Sequence, residues 1–301
     1  MCLRGLRNWF VVMTLALSAC GGIRALDPIT NASSAGQGMP LSGETPQAST
    51  ESIYVLNYLS NTLGVYDATS GNLVRTIKKN LGASPDVFVD ANGKIYVTNV
   101  TSQTVTTYKP AGKPTKPTIK QYLTNPTGIT VDSTGKIYVT NQGNGTLTTY
   151  TKSGKPTTPT ITGLNIPGGV VVDSSGKIYV VEAGANTVLT FKPDGTPTTP
   201  TITAGLNSPT YVALDASGKI YVCNMAGNNV TTYKPDGTQT KPTISKNVSS
   251  PVGIAVDSAG RIFVSNRGTD LVTTYKASGK QIKPTISVPG ESNGAAGVAV
   301  H

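Results

Sequence analysis

The sequence runs to 301 residues, 37% of them hydrophobic and only 13% charged, with a formal net charge of +10. A single histidine, His301 at the last position, nearly excludes histidine-based metal sites, a Ser-His-Asp triad and a histidine general base by count. Gly, Thr and Val dominate and no amphipathic 3.6-residue period appears, which predicts an all-β fold.

The chain opens with Arg4 and Arg7, an apolar run from Trp9 to Ala19, and then Cys20. The run is too short to cross a bilayer, which takes about 20 helical residues. A basic start, a short apolar stretch and small residues before a break describe a secretory signal over 1–19. Leu17-Ser18-Ala19-Cys20 resembles the bacterial lipobox. That resemblance implies cleavage before Cys20, lipidation of Cys20 and anchoring in the cell envelope, at the outer membrane of a Gram-negative cell because Gly21 rather than Asp follows. Residues 20–50 are rich in Gly, Ser, Thr, Ala and Pro without apolar periodicity and read as a flexible tether. Loss of 1–19 removes Cys2, Arg4 and Arg7 and takes the net charge from +10 to +8. With Cys20 lipidated, Cys223 stands alone, so neither an internal disulfide nor a zinc knuckle can form.

From residue 51 the sequence repeats. Ile-Tyr/Phe-Val recurs at Ile53, Ile95, Ile137, Ile178, Ile220 and Ile262, at spacings of 42, 42, 41, 42 and 42. Each unit holds four β-rich runs. In the third, GITV (128–131) is strand a, KIYVT (136–140) strand b, TLTTY (146–150) strand c and PTIT (159–162) strand d. Asp132-Ser-Thr-Gly-Lys136 turns a into b, and Lys152-Ser-Gly154 turns c into d. Four antiparallel strands in about 40 residues mark a β-propeller blade. The first Ile-Tyr-Val has no strand a before it, and Gly297-Val-Ala-Val300 is a strand a with nothing after it. The C-terminal strand is therefore expected to complete the N-terminal blade, closing six blades over 51–301 without an open sheet edge. Along strand b, Ile95 and Val97 should pack on one neighbouring blade and Tyr96 and Thr98 on the other.

GITVDSTGKIYVTN (128–141) and GIAVDSAGRIFVSN (253–266) resemble the NHL repeat and the related YVTN propeller repeat, over residues 51–301. The resemblance implies a six-bladed propeller acting as a binding platform. Ligands would sit near the central channel, on the face of the d–a connections and b–c loops. Relatives of such propellers include gluconolactonase-like hydrolases and virginiamycin B lyase. The alternative function is thus a metal-dependent hydrolase in which a central Ca²⁺ or Mg²⁺ polarises a carbonyl and activates water. Glu51-Ser-Ile-Tyr matches the Glu-bearing opening of those hydrolases poorly, and a lyase of the virginiamycin type would need a central histidine.

Residues repeated in five near-identical copies read as scaffold. Asp90, Asp132, Asp173, Asp215 and Asp257 close the a–b turns, where the carboxylate accepts turn amides. Cys223 replaces a strand-b Thr and is expected to pack rather than to react. Residues that break the repeat are the candidates for a site. The Asn ending strand b, at Asn99, Asn141, Asn224 and Asn266, becomes Glu182 in unit four. Asp86 and Tyr211 stand where other units have Gly128, Gly169, Gly253 and Gly297, and unit six adds Arg267 and Asp270. These residues form the candidate surface for a protein, glycan or small polar ligand. Glu182 and Asp86 are its hard oxygen donors for Ca²⁺ or Mg²⁺, and drift on exposed loops is the competing explanation. No residue is singled out as catalytic.

The opposite face is basic. Its c–d segments carry Lys109, Lys113, Lys116, Lys152, Lys155, Lys192, Lys234, Lys241, Lys276, Lys280 and Lys283 against Asp194 and Asp236. Such a face attracts anionic headgroups or acidic polymers, unless it merely solvates the domain. Export and the lack of interleaved aromatics argue against nucleic acid.

Overall fold

In the computed structural model, which describes residues 51–301 apart from position 291, the repeats form six four-stranded antiparallel sheets. The signal at 1–19, the lipidation site Cys20 and the tether to residue 50 lie outside the described residues. Blade one combines Ser52–Asn57, Thr62–Asp67 and Leu73–Ile77 with the C-terminal strand Ala295–Val300, and blades two to six follow in chain order.

Blade three shows how the local sequence builds the unit. Its strands are Pro126–Val131, Ile137–Asn141, Thr146–Tyr150 and Pro156–Ile161. β-Branched and aromatic residues fill b and c, as a pleated surface packed on both sides favours. At the a–b turn, Asp132 Oδ1 accepts the amides of Thr134 and Lys136 at 2.9 and 3.0 Å, while Gly135 takes a φ of 86°. Strand d begins three residues earlier than the sequence predicts. The reason is Thr149, whose hydroxyl donates to the carbonyls of Thr157 and Pro159 at 3.0 and 2.8 Å and so holds both sides of a bulge against strand c.

The ring closes as expected. Val300 pairs with Ile53 and Val298 with Val55, and Ser52 and His301 exchange backbone hydrogen bonds. Arg261 of blade six pins the same junction through ion pairs with Glu51 and Asp257 and a 3.2 Å bond to the Ala68 carbonyl.

The core lies between blades. Tyr96, Val105 and Ile119 pack with Ile129, Ile137 and Val139 of blade three, whereas Ile95 and Val97 face Tyr54 and Leu56 of blade one. Each fully buried apolar side chain of this kind stabilises by about 1.5–3 kcal/mol, so packing joins sheets whose ladder bonds stay within each blade. Towards the axis the strands a converge. A Cβ on Gly128 would come within 2.5 Å of the Gly168 carbonyl oxygen and 2.9 Å of Gly169 Cα, which restricts that position to glycine.

Candidate functional site

Strand register separates the two faces of the disc. Asn141, the last residue of strand b, lies opposite both Pro126 and Thr146, so d–a connections and b–c loops share one face. The candidate residues on that face divide into a buried network, a plugged channel and a half-buried ring.

The strand-b asparagines form the network. Asn141, Asn224 and Asn266 each accept, through Oδ1, the amide of the residue seventeen positions upstream (Thr124, Asn207 and Ser249) at 3.0–3.1 Å. Asn99 accepts from Gly82 N and from the Ser84 hydroxyl. On the other side Nδ2 donates to a strand-c hydroxyl, that of Thr106, Thr148, Thr231 or Thr273, at 2.9–3.1 Å. In blades two, three and five that hydroxyl is itself bonded to a tyrosine of the same strand. Tyr108, Tyr150, Tyr233 and Tyr275 then donate to a carbonyl leading out of the preceding blade's strand d, each at 2.7 Å. All four asparagines are buried, so the ring that looks like a ligand surface in sequence is a set of clamps on the d–a connections.

Glu182 belongs to this set. Its Oε1 accepts the Asn165 amide at 2.9 Å, the same contact seventeen residues upstream, and its Oε2 accepts the Thr187 hydroxyl at 2.8 Å. A carboxylate cannot donate as the amide does. Blade four accordingly has Leu189 and Phe191 where blades two, three, five and six place the accepting Thr and the Tyr beyond it. The swap is a rewired hydrogen-bond path, matched by its own neighbours.

Asp86 and Tyr211 occupy the channel. Asp86 is buried, with Oδ1 accepting Val87 N at 2.9 Å and Oδ2 accepting Ile129 N of the next blade at 2.8 Å. Burial holds its carboxyl well above the usual carboxylate range, against the pull of those two amides. Tyr211 donates to the Pro85 carbonyl at 3.2 Å, so the two departures from the glycine ring meet. Its phenol is pushed up by burial, then by the Asp86 and Cys223 charges, although the ring keeps a strip of surface open along the channel. The preceding blade makes room for each: a Cβ on Gly297 would sit 2.8 Å from Asp86 Cα, and one on Gly169 would sit 2.9 Å from Tyr211 Cα.

Asp270 also has a backbone role, accepting Asn293 N at 2.8 Å and Ala295 N at 3.0 Å across the closing junction. Asn61, Gln103, Asn186 and Asn228 make the corresponding latch to the blade after their own. Arg267 differs in kind. It follows the strand-b Asn, and its N–H donates to the Ser250 carbonyl at 3.1 Å. Tyr58, Val100, Gln142, Ala183 and Met225 hold the same post through the same backbone bond, at 2.7–3.3 Å. These six half-buried side chains are all different. Arg267 lies near enough to Tyr58 to draw its phenol back from the rise that burial causes. Sequence reasoning found only Arg267 here, because positions that vary carry no repeat signal. It also passed over Asn57, the blade-one member of the asparagine series, which donates to the Pro289 carbonyl at 2.8 Å.

The donor set does not fit a divalent cation. Asp86 spends both carboxylate oxygens on amides and Glu182 on an amide and a hydroxyl. Among the described residues no three His, Cys, Asp or Glu side chains converge. Cys223 is buried, its thiol raised by desolvation and directed at the Gly253 carbonyl. It is a packing residue.

The model of the virginiamycin B lyase family matches residues 75–289. Among solved structures the chain is similar to one of a nidogen/laminin complex, with a TM-score of 0.69 and 18% identity over 83% of this chain and 98% of that one. A streptogramin B lyase is similar at TM-score 0.57 and 14% identity, covering 82% and 76%. A catalytically inactive variant of virginiamycin B lyase from Staphylococcus aureus, with quinupristin, matches at TM-score 0.57 and 17% identity, covering 82% and 78%. At these identities the likeness is one of fold. No curated protein matches the chain in sequence.

Proposed function

The chain belongs to the virginiamycin B lyase family, and we propose that it serves as an envelope-tethered binding scaffold whose loop face takes a glycan, protein or small polar ligand. The observation that carries this reading is the ring at Tyr58, Val100, Gln142, Ala183, Met225 and Arg267: six equivalent backbone posts bearing six different side chains. An asymmetric ligand requires such a surface, and a scaffold alone does not. Arg267 beside Tyr58 favours a ligand with carboxylate or hydroxyl groups, which a guanidinium binds through charge-assisted hydrogen bonds. The tethered part rests on Leu17-Ser18-Ala19-Cys20.

Lyase chemistry has less support. The Staphylococcus aureus enzyme is known in a catalytically inactive histidine variant. The single histidine of this chain, His301, is exposed on the face opposite the loops, bonded through its backbone to Ser52. Calorimetric titration of the protein with peptidoglycan fragments and envelope oligosaccharides tests the scaffold reading. Arg267→Ala should weaken a bound member at least about tenfold, as loss of a charged hydrogen bond does, at an unchanged melting temperature. Conversion of quinupristin by the wild type would overturn the reading in favour of an enzyme. Labelled palmitate should enter the wild type and not Cys20→Ser.

A further inference from the structure

Strand c ends level with the start of strand b: Tyr108 lies opposite Ile95, Tyr150 opposite Ile137, Phe191 opposite Ile178, Tyr233 opposite Ile220 and Tyr275 opposite Ile262. The c–d turns and a–b turns therefore share the face away from the loops. Their charges are handled differently. On the a–b turns Lys94, Lys136, Lys177 and Lys219 fold over the rings of Tyr96, Tyr138, Tyr179 and Tyr221 at 5.1–5.7 Å, and each tyrosine hydroxyl donates to the turn aspartate. That inner ring is half-buried and balanced.

Outside it stand Lys109, Lys113, Lys152, Lys155, Lys192, Lys234, Lys276 and Lys280, all exposed and, among the described residues, in no ion pair. The only acids on these turns of blades two to six are Asp194 and Asp236, whose carboxylates are drawn back onto Thr196 and Thr238. Lys116, Lys241 and Lys283, expected on this face, lie instead within the outer strands at the rim. Blade one has no lysine on its c–d turn, Asp67-Ala-Thr-Ser-Gly-Asn72. There the chain enters the propeller, at Glu51 and Ser52, on this same face.

We propose that this lysine ring is a membrane-docking surface that rests on anionic phospholipid headgroups and turns the loop face outward. A ring of cations around a balanced centre suits a plane of charge, since a flat partner can engage all the turns together, whereas a linear polyanion meets only a few. The described residues begin on that same face, at Glu51 and Ser52, which agrees with this orientation. The source of the membrane rests on the tethered-scaffold reading; the attraction itself does not.

The test uses the expected mature chain from position 20 with Cys20→Ser, so that neither the apolar run before it nor a lipid contributes, sedimented with vesicles of phosphatidylcholine alone or mixed with phosphatidylglycerol. Binding is expected only to the anionic vesicles and should fall with added salt, because the field decays over a Debye length of about 8 Å at physiological ionic strength. Each lysine close to such a surface is worth about fivefold in partitioning. Replacing Lys152, Lys155, Lys276 and Lys280 together by Gln should therefore cost at least about tenfold, at an unchanged melting temperature. Equal binding to both vesicles, no binding to the anionic ones at low salt, or a quadruple variant that partitions like its parent would overturn the proposal. So would capture by soluble dextran sulfate with vesicles ignored. The vesicle assay and the loop-face titrations use different residues, so either reading can fail without the other.

Discussion

The Tyr211 hydroxyl donates a hydrogen bond to the Pro85 carbonyl at 3.2 Å, linking strand a of blade five to the start of strand a in blade two. In a ring of six those blades face each other, so the bond crosses the channel and braces the disc where glycine leaves it open elsewhere. Tyr211→Phe should destabilise by about 0.5–1.5 kcal/mol, the net worth of one such bond. Tyr211→Gly, which restores the repeat, removes a large side chain from a packed position and should cost about 3 kcal/mol or more. Urea titration of the three proteins measures both steps, and a Phe variant as stable as the wild type would show that the hydroxyl contributes nothing across the channel.

Asp86 makes stability depend on pH. Its carboxyl is held well above the usual range by burial, so the folded protein binds this proton more tightly than the unfolded chain does. Its contribution is therefore complete below the ordinary carboxylate pKa, near 4, and is lost as pH rises through the elevated value. Asp86→Asn stays neutral throughout and should gain on the wild type as pH increases over that window. Melting temperatures of both proteins measured from pH 4 upward check the sign; curves that run parallel would mean that Asp86 does not titrate differently on folding.

The blades were legible because every blade buries the same positions. Ile95, Val97 and Tyr96 fall where period-two alternation puts them, and Val298 and Val300 complete blade one because a propeller must not leave an edge. The roles on the loop face were not legible. Asn141 ends a strand next to a loop, which looks exposed, but the d–a connection folds back over it and Thr124 N reaches its oxygen from seventeen residues away. Local pattern does not carry that contact. A signal was nonetheless present in blade four, where Leu189 and Phe191 depart together with Glu182. Joint departure along one hydrogen-bond path marks a scaffold rewired, whereas a ligand site would leave the inner path untouched.

The turn aspartates should limit acid tolerance. At Asp132 and Asp215 burial opposes ionisation, but hydroxyl donors (Thr134 and Tyr138, Ser217 and Tyr221) together with turn amides outweigh it and hold both carboxyls below the usual range. Asp173 is held down in the same way, while its partner Tyr179 is pushed up to about 12 by burial and by that carboxylate. A depressed folded pKa supplies stability above the ordinary carboxylate pKa that is lost as pH falls through the depressed value. Tyr138→Phe combined with Tyr221→Phe removes two of the hydroxyl donors and should move the acid-unfolding midpoint to higher pH. Near-ultraviolet circular dichroism followed through an acid titration reads that midpoint, and no movement would mean that the turn amides suffice alone.

Glu182 is the position at which the scaffold and ligand accounts diverge most. As a clamp it needs only an acceptor for Asn165 N and a partner for the Thr187 hydroxyl. Glu182→Gln supplies both and should be close to neutral in stability. Glu182→Ala strands the Asn165 amide and should cost about 1–3 kcal/mol. Glu182→Asn is the informative substitution: it copies the other blades, yet its Nδ2 would meet Leu189 instead of a hydroxyl, and it should destabilise on its own. Adding Leu189→Thr and Phe191→Tyr rebuilds the path seen in blade three and should recover that loss, giving a coupling of about 0.5–3 kcal/mol in a mutant cycle. Strictly additive effects would dissolve the network. If the wild type instead binds Ca²⁺ in a calorimeter and Glu182→Gln abolishes the heat at equal stability, Glu182 is a ligand donor and the clamp account fails.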